Sequence, residues 1–481
     1  MNKVILVPAL LYVILQHASA QLPSDSIRAL LKREVAAQRG KSIIVGMIDS
    51  TGSRQVFAEG ILSDKDRRQP DANTLYEIGS ITKVFTALLL CDMDQQGQLS
   101  VNDPLSKYLP ANTRAPQWNG KEITLLSLAT HRSGMPRFPD NVFPKDPDFT
   151  RAYADYTPVK LYEYVSTFQP PDIDTKWRYS NVAYGLLGLI LEKVSDKDYE
   201  NLVKQRICQP LHMNNTVITL NAQQRSNLAI GHAETGAVVG LGQLGAIGAG
   251  GALLSNVNDL LTFARAQLGL VSTPLYPAMQ QTHILQAKKE GEDTYTTMGW
   301  TLYQENGKHY LFKDGGMPGY RTYLGLDLVK KCAVVVLCNN NNSVTDIGRY
   351  LLDPSRRVDL YRYPWALLDT LRSTLRSSGV DATVARYRQL KAAADPRYTF
   401  NEATLNYLGE ECRRNKQYKD AISLYALNAE EYPKSAGACE SLATTYLLLK
   451  DKTKARQYFE KAQQLEPNNR HWRYMLEQIS R

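Results

Sequence analysis

Seven consecutive residues, Val84-Phe85-Thr86-Ala87-Leu88-Leu89-Leu90, constrain this chain more than any other stretch. The run is apolar nearly all round, so it predicts a central helix buried on every side rather than a surface helix. Such a helix needs other elements packed about its whole circumference, and the flanking sequence offers them. Residues 42–48 and 55–62 read as two strands around a turn at Ser50-Thr51-Gly52. Strand signals return at 294–303, 308–313, 320–327 and 332–339, with short turns that indicate an antiparallel meander. Between them lie helical patterns near 124–130, 158–167, 182–194, 199–207 and 257–268, and a glycine-rich stretch at 241–251. Thr157 before Pro158 is a cap followed by a first helical turn, and residues 348–352 belong to a closing helix. Joining the early strands to the late ones gives an α/β fold: one antiparallel sheet flanked by helices, with an all-helical insertion. Active sites favour the seam between two such parts.

Beyond Asp353-Pro354 strand signals stop and an all-α module begins. Leu408, Ala421, Tyr425 and Pro433 recur 34 residues later as Leu442, Ala455, Phe459 and Pro467. That period, with small, aromatic and proline positions, is the tetratricopeptide pattern of paired helices. The helix around residues 385–394 reads equally well as a capping partial repeat or as a plain linker. The expected division is a signal peptide at 1–20, a first domain at 21–353, a helical linker or partial repeat at 354–400, and repeats at 401–481.

The first twenty residues stand apart. Lys3, an apolar run from Val4 to Leu15 and the small residues Ala18-Ser19-Ala20 have the layout of a cleaved secretory signal. The expected location is therefore periplasmic or extracellular, with no transmembrane span after cleavage. The formal net charge of +9 comes from scattered basic residues. No basic stripe interleaved with aromatics suggests nucleic-acid binding. The six cysteines are expected as free thiols, because Cys332 and Cys338 share one strand and Cys91 sits in the apolar helix. The seven histidines show no HxH or HExxH spacing, so no metal site is expected.

Three short motifs carry chemistry. Ser80-Ile81-Thr82-Lys83 lies where a loop becomes the buried helix. Residues three apart share a helix face, so the amine can reach the hydroxyl. The helix N-terminus favours developing negative charge, and burial lowers a lysine pKa toward that of a general base. The plain alternative is a serine cap and a surface lysine. Tyr179-Ser180-Asn181 opens another helix. Tyr179 could exchange a proton with Ser80 and Lys83 while Asn181 bonds a substrate amide, or Asn181 could simply cap the helix. Lys313-Asp314-Gly315-Gly316 ends a strand. Period-two alternation sends Lys313 and Gly315 to one face, where Lys313 could bind a substrate carboxylate, and Asp314 to the other. Gly315 lets substrate lie close to the strand, and Gly316 could offer a backbone N–H.

Together the three motifs resemble the serine β-lactamase and penicillin-recognising peptidase family, nearest its class C, D-alanyl-D-alanine carboxypeptidase and esterase branch. There the pattern is Ser-x-x-Lys, Tyr-x-Asn and Lys- or His-x-Gly, as at Ser80, Tyr179 and Lys313. Residues 128–136, 248–251 and Gly319-Tyr320 are similar too, and the resemblance covers roughly 27–352. It implies an acyl-enzyme on Ser80, proton transfer by Lys83 and Tyr179, an oxyanion held by the N–H groups of Ser80 and Gly316, and no cofactor. Substrate contacts fall to Asn181, Lys313 and Gly315. Asp314 departs from the threonine common in β-lactamases, which weakens the expectation of efficient antibiotic hydrolysis. Small esters, D-amino-acid peptides or amides and β-lactams all fit. The alternative is a slow or inactive penicillin-binding receptor or scaffold whose repeats recruit a protein partner.

Overall fold

A computed structural model describes residues 22–142, 151–289, 294–305, 308–356, 358, 365–395, 397–467 and 469–480. The expected signal peptide lies outside them. The chain divides into two compact units, Met1–His232 with Val238–Asp359, and Leu360–Arg481 with Ala233–Ala237.

In the first unit helix α1 (Ser24–Ala36) precedes strands β1 (Ser42–Ile48) and β2 (Arg54–Gly60). A two-residue strand β3 (Tyr76–Glu77) then leads through a 3₁₀ turn at Gly79–Ile81 into α2 (Thr82–Gln95). The insertion contains α3 (Leu125–Ala129), α4 (Pro158–Thr167) and α5 (Asn181–Ser195). After β4 (Leu254–Ser255) and α6 (Val257–Gln267) come β5 (Ala287–Lys288), β6 (Thr294–Thr296), β7 (Thr301–Glu305), β8 (Lys308–Met317), β9 (Tyr320–Asp327) and β10 (Cys332–Cys338). Helix α7 (Thr345–Leu352) closes the unit.

Eight strands form one sheet in the order β2-β1-β10-β9-β8-β7-β6-β5. The early strands enter it as expected, with Ile43 opposite Cys338 and antiparallel pairing on both sides of β1. Every residue of β1 is buried, as a strand covered on both faces must be. On one face α1 and α7 pack against Val45, Phe57, Tyr323 and Val336. On the other, α2 is buried from Thr82 to Met93 among residues of α5, α6 and the sheet. The apolar run is indeed the central helix.

Three local expectations change. The stretch 294–303 is two strands, because Gly299 turns back with φ 83° and sits against the backbone of α2, where a Cβ would lie 2.9 Å from the Lys83 carbonyl. The third strand runs on to Met317, since pairing with β9 continues through Met317 opposite Tyr320. Helix α1 carries its own amphipathic signal in Ile27, Leu30 and Leu31, all buried, which the strand-centred reading passed over. All six cysteines are free thiols.

The second unit is helical. Helix α8 (Ala366–Ala392) breaks at Gly379 and is followed by α9 (Glu402–Arg414), α10 (Tyr418–Glu431), α11 (Ala436–Leu448), α12 (Lys452–Leu465) and α13 (Arg470–Ser480). The repeated positions Leu408, Ala421 and Tyr425, and their counterparts Leu442, Ala455 and Phe459, are all buried. Tyr387 and Leu390 share a core with Leu405, Leu408 and Tyr425. The segment around residues 385–394 is thus packed against the first repeat and is more than a linker.

Candidate active site

Ser80 occupies the middle of the 3₁₀ turn that starts α2, and Lys83 follows in the first turn of the helix. The turn can approach strand β8 only because residue 79 is glycine. Its φ is 52°, and a Cβ there would lie 2.6 Å from the Gly316 backbone nitrogen. From the other side the Thr322 hydroxyl donates to the Ile78 carbonyl at 2.9 Å, tying β9 to the same turn. Ser80 and Gly316 are therefore brought together by backbone contact, not by long side chains.

Lys83 is wholly buried. Its Nζ donates to Ser80 Oγ at 3.2 Å, to Asn181 Oδ1 at 2.7 Å and to the Gly250 carbonyl at 2.5 Å. Burial pulls its pKa down to about 8, opposed by the Tyr179 phenol and assisted by Lys313. No carboxylate neutralises it among these partners, so proton release is within reach near neutral pH. Ser80 Oγ also lies 2.5 Å from Tyr179 Oη. One hydroxyl thus touches both a phenol and a low-pKa amine.

Tyr179 and Asn181 come from the turn that opens α5. The capping side chain there is Ser180, which accepts from the Ala183 N–H at 2.9 Å. Asn181 is thereby released from capping, its oxygen is taken by Lys83, and its amide nitrogen has no acceptor among the described residues. The turn is fixed from behind by His131. The Ser180 N–H donates to His131 Nδ1 at 3.1 Å, and the ring packs 4.6 Å from that of Tyr179. Burial, reinforced by Lys313, Lys83 and Lys289, holds His131 well below the usual histidine pKa. Its imidazole is neutral, with the proton on Nε2. The stretch 128–136 was recognisable in the sequence, but its task was not: a lone histidine gives no sign of which turn it braces.

Lys313 and Gly315 are buried on β8 while Asp314 and Gly316 are exposed, as alternation predicts. The Lys313 ammonium lies 4.8 Å from the Tyr179 ring centroid, and burial lowers its pKa. Asp314 was expected to turn away from the cleft. It still belongs to the lining, because the glycines beyond it leave the strand bare and the cleft passes over it. The cleft measures about 860 Å³ and gathers Ser80, Tyr179, Asn181, Lys313, Gly315 and Gly316 in its walls. Arg137, Lys289 and Arg321 add cations. Arg137 was not singled out from the sequence. Its carbonyl accepts from the Asn181 N–H at 3.0 Å and its guanidinium lies 5.7 Å from the Tyr179 ring centroid.

A β-lactamase family model matches residues 27–353, which contain every one of these groups. The chain belongs to the β-lactamase family. A tetratricopeptide repeat model matches residues 436–469, the span of α11 and α12. Among relatives, the D-alanyl-D-alanine-carboxypeptidase/endopeptidase AmpH of Escherichia coli is 30% identical over 290 residues, 57% of this chain and 74% of that one. A β-lactamase of Yersinia enterocolitica is 30% identical over 259 residues, 52% of this chain and 62% of that one. Solved structures include the D-alanine carboxypeptidase AmpC from Burkholderia cenocepacia, at 25% identity and a TM-score of 0.57, covering 69% of this chain and 100% of that one. A class C β-lactamase from Rhodobacter sphaeroides superposes with a TM-score of 0.58 at 23% identity, over 66% of this chain and 95% of that one. This β-lactamase-family member has the antiparallel sheet and flanking helices of those structures. Among the described residues no helix is long and apolar enough to cross a membrane.

Proposed function

We propose that this chain is an exported serine hydrolase working through an acyl-enzyme on Ser80. The observation that carries the reading is the double contact of Ser80 Oγ, at 2.5 Å from Tyr179 Oη and 3.2 Å from Lys83 Nζ. The hydroxyl proton passes to this pair as Oγ attacks a carbonyl carbon, and the oxygen of the tetrahedral adduct lies against the N–H groups of Ser80 and Gly316. Such a donor is worth about 3–4 kcal/mol in acyl transfer. Tyr179 and Lys83 return the proton to the leaving group, and water then releases the acyl group by the reverse relay.

The substrate class follows from charge. Arg137, Lys289, Lys313 and Arg321 line the cleft against one carboxylate among the described residues, Asp314. Acidic acyl compounds fit best: D-amino-acid peptides or amides with a free carboxylate, and β-lactams, with small esters as neutral surrogates. The names of the relatives, a D-alanyl-D-alanine carboxypeptidase and β-lactamases, support the same class. Export is supported by the N-terminal sequence, and a protein partner for the repeats by the tetratricopeptide match.

The deciding experiment is mass spectrometry after treatment with a serine-reactive phosphonate or a penicillin. The adduct is expected on Ser80, with turnover of a D-alanyl peptide or ester by the unlabelled protein. Label on another serine overturns the mechanism. A stable adduct with no turnover of any of these substrates would mark a receptor instead.

A further inference from the structure

Glu77 lies three residues before Ser80 and is 2% exposed. On β3 it pairs with Leu254, beneath the cleft. Its Oε1 accepts the Gly242 N–H at 3.0 Å, and its Oε2 has no partner among the described residues. Gly242 and Leu244 line the cleft, together with Met317. Residues 240–244 form neither helix nor strand. Beyond the short hairpin strand Val238–Val239, the Gly242 N–H to Glu77 is the one hydrogen bond that their backbone donates among the described residues. The backbone of this stretch of the cleft wall thus donates to one carboxyl group, while the Leu241 and Leu244 side chains pack on the core.

Among the described residues that carboxyl has no cation bonded to it. Tyr320, which senses its charge, and Tyr76 beside it in the chain are phenols that burial holds far above their ordinary range. The Arg321 guanidinium is bound to the carbonyls of Met317 and Tyr320 and to Asn341, and Lys83 to Ser80, Asn181 and Gly250. Burial without a counter-charge pushes Glu77 up to about 8. A buried carboxylate there has one N–H to satisfy it, which does not offset lost hydration.

We propose that Glu77 is a positioning residue of the active site, a buried carboxyl group that accepts the Gly242 N–H and holds that stretch of the cleft wall in place. The proposal builds on Ser80 as the nucleophile. Glu77→Gln keeps a carbonyl for the Gly242 N–H and cannot ionise, whereas Glu77→Ala offers nothing. At pH 7 kcat/KM for a small ester should be near normal in Glu77→Gln and fall about tenfold in Glu77→Ala, a loss typical of one misplaced positioning contact. As pH rises through about 8 the carboxylate that forms accepts the same N–H more strongly, so the ratio of Glu77→Gln to wild type should not climb. Any alkaline limb owed to Lys83 cancels in that ratio.

A melting series tests the buried acid without turnover, and so stands whatever Ser80 does. Between pH 4.5 and about 8 the folded carboxyl keeps a proton that the unfolded chain has lost, so wild-type stability drops as pH rises through that window. The advantage of Glu77→Gln should widen over the same range and then level. Parallel melts across that window, an activity ratio of Glu77→Gln to wild type that climbs from pH 7 to about 9.5, or a folded Glu77→Ala with unchanged kcat/KM, each overturn the proposal. Should Glu77→Ala fail to fold, the Glu77→Gln profile alone decides.

Discussion

The two walls of the cleft each bury a lysine and use it differently. On the helical wall Lys83 is bonded to three oxygens contributed by the 3₁₀ turn before α2, by α5 and by the glycine-rich turn. On the strand wall Lys313 faces the Tyr179 ring, and among the described residues its ammonium has no hydrogen-bond acceptor. One amine is completed by the protein and held in a fixed direction. The other is left for a ligand to complete. On the proposed mechanism, equal burial makes a proton carrier where acceptors surround the nitrogen, and an anion receptor where they do not.

Removing groups from the helical wall should break catalysis itself. Ser80→Ala should abolish covalent labelling, and Lys83→Ala or Tyr179→Phe should each lower kcat/KM by about 10²–10⁴ with unchanged circular dichroism. Near-normal turnover in either would erase the distinction between the walls. Removing the strand-wall amine should instead change selectivity. Lys313→Ala should weaken turnover of acidic substrates by about 10–100-fold more than that of neutral esters, the range for a hydrogen bond to a charged group. Equal losses on both would make Lys313 a general electrostatic support, like its neighbour.

The pH profile sharpens the same contrast. Burial lowers Lys83 from 10.5 to about 8, so at pH 7 most of it still carries its proton. If the neutral amine is the base, kcat/KM on a neutral ester should rise about tenfold from pH 7 to 9. The measurement belongs in the Glu77→Gln background, where the other ionisation is removed. A flat profile would make the ammonium the working form. The smallest effect is expected from cutting the chain after Asp353, because both walls precede it. Ester turnover should persist, and its loss in a cooperatively folding truncation would mean that the repeats shape the site.

Much of this was legible because it obeys short periods. The apolar run of α2, the alternation in β8 and the 34-residue recurrence each reflect one residue's relation to its chain neighbours. Ser80, Lys83, Tyr179, Asn181, Lys313, Gly315 and Gly316 all line the site or touch it, as their motifs suggested. What stayed hidden depends on distant partners. His131 matters through Ser180, Glu77 through Gly242, and Arg137 through Asn181. No local pattern pairs those residues. The choice of Ser180 over Asn181 as the cap was equally unreadable, since both side chains suit the position and only the demand of Lys83 separates them.

The seating of β1 also sets a timetable for folding. Its partner on one side is the adjacent β2, but on the other it waits for Cys338, about 300 residues further along the chain. A lone two-stranded hairpin is barely stable in water. Until β10 has been synthesised, the hairpin of β1 and β2 therefore shows an open edge of buried-type side chains, Ile43, Ile44, Val45 and Ile48 among them. The nascent chain stays unfinished through most of its elongation. Over that time the edge is open to pairing with another chain.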